Sequence, residues 1–218
     1  ADLNDKLQAW LESCFVDGKY DLYQAFILRN AKLAVGDGYV AMITMQGWMF
    51  APRYEAIRSN ILANCSILSM AQLGERAFDS IGGEVVSTTA FVLTNNRSPS
   101  LKGQFVRLTE GKNEDEKNQA LLSAAKNPKS DIRFSASDDD FLIITGQPLV
   151  FWASEQVRLA FHNYPTISEY IVTREGLTTG SNALFLREWH EVSQSEVAYG
   201  MTDEASAQES KKRWFPYG

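Results

Sequence analysis

Trp48 and Phe50 follow a run, Tyr39-Val40-Ala41-Met42-Ile43-Thr44-Met45, that is apolar almost throughout. Such a run reads as a parallel-sheet strand buried on both faces. Rings at the carboxyl end of such a strand stand where open α/β sheets bind their ligands. Two roles are open to them: lining a substrate pocket, or closing the core.

Other chemistries find little footing. His162 and His190 lack the carboxylate or cysteine spacing of a metal centre. There is no G-x-S-x-G for hydrolysis and no G-x-x-x-x-G-K-[ST] for phosphate. The acidic run Asp138 to Asp140 reads as a solvated loop before it reads as a cation site. Cys14 and Cys65 make no redox or metal spacing, so a reduced cytoplasmic setting is expected. No catalytic residue and no metal ligand is assigned.

The 218 residues, 44% hydrophobic and 22% charged, describe a globular chain able to bury a real core. No apolar run approaches the roughly 18 residues of a membrane span. The net charge of −6 argues against a dedicated nucleic-acid binder. The charge is uneven, however: residues 97 to 133 carry eight Lys/Arg against five acids, a net +3. That segment reads as a solvated surface or as one wall of a DNA cleft.

The surrounding elements follow from periodicity. Leu3, Leu7, Trp10 and Leu11 give helical spacing up to Phe15, and Asp17-Gly18 breaks it. Asp21 is placed to cap a second helix with Leu22, Phe26, Ile27, Asn30 and Leu33 on one side. Pro52 opens a third helix running to Asn64. Ile67 to Leu73, Val85 to Leu93 and Phe105 to Leu108 read as strands, with Ile81-Gly82-Gly83 as a loop. A polar helix covers residues 113 to 126, and another runs from Ser154 to Phe161. Asn127 to Ser130 and Ser137 to Asp140 read as connectors, so a domain boundary is placed between Asn127 and Gln147. Residues 202 to 213 are polar and expected to be mobile.

Three segments carry a resemblance. DLYQAF at Asp21 to Phe26, GYVAMITMQGW at Gly38 to Trp48 and AFDSIGGEVVSTTAFVL at Ala77 to Leu93 resemble the second half of N6-adenine DNA methyltransferases. MITMQGWMF, RAFDSIGGEVV and the final KRWFPY resemble the BREX phage-defence type, the PglX family. The resemblance implies an α/β fold: the carboxyl-terminal half of a Rossmann-like methyltransferase sheet, then the start of an α+β DNA-recognition region. Residues 1–127 would belong to the catalytic domain and residues 147–218 to the recognition region.

The implied reaction is methyl transfer from S-adenosylmethionine to adenine N6, in phage defence or restriction-modification. A base inside a duplex must be flipped out to react, and an aromatic face then replaces its lost stacking. Phe78 matches the family position for that face; packing in the loop is its plainer role. Phe26 matches the position that packs on the cofactor's adenine, against the plainer role of core. Gly176 to Arg187 resembles the opening of a recognition domain, where Arg187 would touch DNA or pair with Glu188 or Glu191. Implied partners are DNA, other phage-defence subunits, and a second copy through an exposed sheet edge.

The departures are equally specific. The one G-x-G, Gly36-Asp37-Gly38, lies between a helix and a strand, and all six prolines are isolated, so no Asn-Pro-Pro-Tyr exists. The chain is therefore expected to be one piece of a larger polypeptide and inactive alone. The rival is a non-enzymatic protein-interaction module that retains part of the fold.

Overall fold

The computed structural model describes residues 4–80, 86–171 and 180–216. They divide into two compact units, Ala1–Thr166 and Ile167–Gly218.

The first unit is built on a mixed sheet. Its strands are β1 (Tyr39–Met45), β2 (Ser66–Gly74), β3 (Thr88–Thr94), β4 (Lys102–Arg107) and β5 (Arg133–Ser137), in the order β1-β3-β2-β4-β5. β3 lies antiparallel between β1 and β2, β2 is parallel to β4, and β5 is antiparallel to β4. β1, β2 and β4 therefore end on one shared edge of the sheet. Gly103 allows a close approach inside β4, since a Cβ there would collide with the Ile67 carbonyl oxygen.

Helices α1 (Asp5–Cys14), α2 (Leu22–Leu33) and α3 (Glu55–Asn64) cover one face. Leu11, Ile27, Leu28, Ile57, Ile61 and Leu62 meet Val40, Ile67, Met70, Phe91, Leu93 and Phe105 in one core cluster. Each fully buried side chain of this size contributes about 1.5–3 kcal/mol relative to exposure. α1 starts at Asn4, whose side chain accepts from the Leu7 amide at 2.9 Å. Asp21 occupies the N-cap of α2 with extended backbone, but its carboxylate makes no capping bond.

The apolar stripe of α2 differs from the expected one. Gln24, Ala25, Ile27 and Leu28 are buried, whereas Phe26 and Leu33 are exposed. The cause is Gly18: a Cβ there would lie 3.0 Å from Gln24 C and from Leu28 Cδ1, so the preceding turn seats that side of the helix.

β1 also departs from expectation. Among the described residues it is an antiparallel edge strand, not a parallel strand buried on both faces. Val40 and Thr44 are buried, while Tyr39 is 71%, Ile43 58% and Met45 43% exposed. The reason lies on the other face. There α4 (Glu114–Lys126) covers the β2–β4 side, leaving an apolar groove of about 600 Å³ lined by Ile43, Ala71, Ala90, Val92, Leu121 and Ala125.

The stretch expected as a connector is ordered structure. α5 (Asp138–Leu142) follows β5 directly. Asp140 accepts from the Ser137 amide at 2.8 Å and its hydroxyl at 2.9 Å, and pairs with Arg158 at 3.3 Å. Asp139 pairs with Arg97 at 2.7 Å, and the buried Asp138 accepts from the Ile67 amide at 3.2 Å. An acidic run looks solvated by composition; these three carboxylates are consumed by helix capping, an ion pair and a strand amide. Phe141, Leu149 and Phe151 then enter the core, and α6 (Glu155–Asn163) closes the unit.

The second unit holds α7 (Asn182–Phe185) and α8 (Glu204–Glu209). The segment expected to be mobile carries α8, capped by Asp203, which accepts from the Ser206 amide at 2.8 Å. The chain then returns: Ala198 donates to the Trp214 carbonyl at 2.9 Å, and Trp214 to that of Glu196 at 3.1 Å. Both cysteines are free thiols, Cys14 exposed and Cys65 buried.

Candidate functional site

The shared edge where β1, β2 and β4 end gathers most of the chemistry-bearing side chains of the first unit. β1 runs into a tight turn, Gln46–Met49. The Gln46 amide extends the ladder to the Ser87 carbonyl at 2.9 Å, and the amides of Phe50 and Ala51 return to the Gly47 carbonyl at 3.2 and 3.0 Å. A Cβ on Gly47 would sit 3.4 Å from the Tyr54 ring and 3.8 Å from the Tyr23 hydroxyl, so the turn nests between two tyrosines. Burial pushes the Tyr23 phenol up to about 12, although Gln24 donates to it.

Arg58, on α3 and only 1% exposed, holds this turn from below. It donates to the carbonyls of Trp48 at 3.0 Å and Ala51 at 2.9 Å, and twice to Gly146, at 2.9 and 2.6 Å. No carboxylate pairs with it among the described residues; burial lowers its pKa, partly offset by Glu55. The Leu149 amide donates to the Met49 carbonyl at 2.9 Å, which stitches segment 146–149 to the turn.

An aromatic wall follows. Trp152 packs edge-on to Phe50 with ring centres 5.5 Å apart, and edge-on to Phe151 at 5.0 Å. Phe151 stacks on Phe105 at 4.9 Å. The Arg107 guanidinium lies 4.8 Å above the Trp152 ring. Alongside, Gln72 donates to the Gln46 side chain at 3.3 Å. Turning both amides over would still leave one buried polar atom of Gln72 without a partner, as its Oε1 is now.

The loop after β2 is anchored where it leaves the sheet. The buried Lys117 ammonium donates to the Leu73 carbonyl at 2.7 Å and to that of Leu108 at 2.8 Å. Burial lowers its pKa, with Glu116, Glu110 and Glu75 opposing. Further along, the Asp79 amide donates to Glu114 at 3.4 Å and the Glu114 amide donates back to Asp79 at 3.3 Å.

The residues singled out from the sequence lie as follows. Phe50 is half-buried on the wall. Trp48 is completely buried and packs edge-on to Phe91 at 5.2 Å, so its ring closes the core beneath the turn. Phe78 is half-buried in the loop after β2, one residue before Asp79. Phe26 is 51% exposed on α2, one turn beyond Tyr23. Arg187, in the second unit, donates to the carbonyls of Ala183 at 2.9 Å and Leu186 at 2.6 Å and lies 5.7 Å from the Trp214 ring. Glu191 instead accepts from the Glu188 amide at 2.7 Å. Gly176 and Ile81-Gly82-Gly83 lie outside the described residues.

Sequence reasoning missed Arg58, Gln46, Gln72 and Trp152, and it counted Arg107 in the basic segment without singling it out. Arg107 follows Phe105 by two positions on one strand, and that alternation was the available signal. The basic segment is not a continuous stripe. Lys117 is buried, Arg97 pairs with Asp139, and Arg133 donates to Gln104 at 3.2 and 3.0 Å.

Comparison with known proteins places this arrangement. Residues 2–78 match the model of the Eco57I restriction-modification methylase family. The adenine-specific methyltransferase PglX of Lacticaseibacillus casei (strain Zhang) is 38% identical over 200 residues, 91% of this chain and 16% of that protein. The adenine-specific methyltransferase BrxX of Escherichia coli O9:H4 (strain HS) is 36% identical over 218 residues, 98% of this chain and 17% of that protein. The chain thus spans about a sixth of the length of these relatives. A solved type I restriction-modification methyltransferase subunit from Streptococcus thermophilus shares the α/β fold, with a TM-score of 0.50 and 17% identity, over 66% of this chain and 34% of that one. Over most of its length the chain is homologous to one segment of the adenine-specific methyltransferases PglX and BrxX of BREX systems.

Proposed function

We propose that this chain forms the substrate-side half of the catalytic domain of a DNA adenine N6-methyltransferase acting in phage defence or restriction-modification. The observation that carries the reading is the aromatic wall, Phe50 and Trp152, at the edge where the parallel strands end. Beside it, β1 pairs with β3 on one side only among the described residues, and its outward side chains are bare. A further strand with its covering helices would fit there, so the chain reads as the carboxyl-terminal half of a Rossmann-like sheet. Residues 1–127 then belong to the catalytic domain. Residues 147–218 open the recognition region, with Leu149 and Phe151 rooted in the catalytic core and Arg187 turned to DNA.

In this reading an adenine flipped from the duplex enters at the carboxyl edge. Phe78 supplies a face for it, a contact of about 1–3 kcal/mol per base, and Phe50 lines the pocket, with the buried Trp48 bracing the turn. S-adenosylmethionine supplies the methyl group when bound. The fit holds for one contact: Phe26 offers an exposed ring one turn beyond Tyr23, whose hydroxyl lies near Gly47, and an exposed ring suits a purine face. A DNA substrate would place the reaction in the cytoplasm, alongside other defence subunits.

Phe78→Ala in the full-length enzyme is expected to lower methylation of DNA more than affinity for S-adenosylmethionine. Equal loss of both, or no loss, counts against the stacking role. The isolated chain is expected to be inactive and to bind the cofactor weakly; micromolar binding by isothermal titration would sink that part.

The bare β1 edge and the apolar groove also favour a second reading, a protein-interaction module that keeps the fold without the chemistry. Dimerisation by size exclusion, with no gel shift of DNA at low salt, would favour it.

A further inference from the structure

We propose that Arg107, held over the Trp152 ring, binds a phosphodiester of the DNA strand at the carboxyl edge. This rests on the function proposed above and adds to it a backbone contact and the residue that makes it.

Arg107 is the last residue of β4 and pairs in register with Gln72 of β2. Two residues earlier Phe105 points into the core, so Arg107 emerges on the same face, the face that carries Phe50 and Trp152. Its commitments within the chain are few. No carboxylate lies within ion-pair distance among the described residues, and its Nε is buried without a hydrogen-bond partner. Its terminal nitrogens are not among the buried unpartnered atoms, and no hydrogen bond occupies them among the described residues.

The contact with Trp152 explains how such a group is held ready. The guanidinium carbon lies 4.8 Å from the Trp152 ring centre, within cation–π range. A cation–π contact uses the charge and leaves the N–H donors available, and the terminal nitrogens, unlike Nε, are not buried without a partner. A planar fork of N–H groups matches the paired oxygens of a phosphodiester. An ordinary surface arginine sweeps many rotamers and must lose that freedom on binding. Here Trp152, fixed by Phe50 and Phe151, removes much of it beforehand. The neighbouring basic groups do not serve equally well: Lys117 is turned inward to two carbonyls, and Arg97 is taken by Asp139.

The test uses the full-length methyltransferase and a duplex containing its target site. Arg107→Met is expected to weaken binding uniformly across DNA sequences and to lower the slope of log K against log salt by about one. Affinity for S-adenosylmethionine should stay unchanged, which separates a phosphate from the carboxylate of the cofactor. Arg107→Lys keeps the charge and should restore the slope while leaving part of the affinity lost. An unchanged slope in Arg107→Met, with DNA binding otherwise intact, overturns the proposal and leaves the methyltransferase reading standing. A lowered slope that Lys does not restore, together with a lowered thermal midpoint in both variants, assigns Arg107 a structural role and also overturns it. A wild-type protein that neither binds nor methylates DNA removes the methyltransferase reading itself.

Discussion

Arg58 and Gly146 lie 88 residues apart in the chain, and the guanidinium of one donates twice to the carbonyl oxygen of the other, at 2.9 and 2.6 Å. The same side chain holds the Trp48 and Ala51 carbonyls. One buried cation thus joins the turn after β1 to the segment that leads to Trp152. The geometry of the aromatic wall depends on a residue whose hydrogen bonds all go to backbone carbonyls.

Removing that cation should be costly. A buried acceptor left without a donor costs about 1–3 kcal/mol. Arg58→Met strands three carbonyls, two of which relax toward water only if the turn opens. We expect a loss of about 3 kcal/mol in urea unfolding, and a smaller loss for Arg58→Lys, which keeps the charge but not the fork. A Met variant as stable as the wild type would show that the turn is held by its own backbone bonds.

Tyr23 makes stability depend on alkaline pH. Its phenol is raised by burial from 10.0 to about 12. Below pH 10 both folded and unfolded chains keep the proton, and the contribution is fully present. Between about 10 and about 12 only the unfolded chain releases it, so stability falls as pH rises through that window. Tyr23→Phe should flatten the fall, measured as unfolding midpoints across the range. The same slope in the variant would assign the effect to another group.

Ile43 stands in the middle of the bare face of β1 and is 58% exposed. Ile43→Lys should change the stability of the isolated chain by no more than about 0.5 kcal/mol, as surface substitutions do. A charge on an open edge strand opposes edge-to-edge pairing. Sedimentation velocity should therefore show less self-association than in the parent chain. Equal association would place the contact elsewhere.

The sequence was a good guide wherever local pattern decided the outcome. The helix ending at Cys14, the strand Tyr39–Met45, the helix ending at Asn64 and the polar helix ending at Lys126 are all present. It misled where the environment decided. The run around Ile43 looks buried on both faces because composition does not reveal whether a neighbouring strand or helix is supplied. Asp138 to Asp140 look solvated because their partners, Ile67, Arg97 and Arg158, are distant in the chain. Of the wall, Phe50 was legible from its place after a strand. Arg107 was counted only as one charge of a basic segment, and its place beside Gln72 was not legible, because that register arises only from the parallel pairing of β2 with β4.

The two free thiols give the molecule a reporter of its own motions. Cys14 is exposed, whereas Cys65 is buried, and burial together with the nearby Asp138 carboxylate raises its pKa. A thiol-specific reagent should modify Cys14 at once, and Cys65 only when α3 parts from the sheet. The second labelling rate therefore times the opening of the core where α3 passes into β2, at the end of the sheet away from the aromatic turn, without any engineered probe.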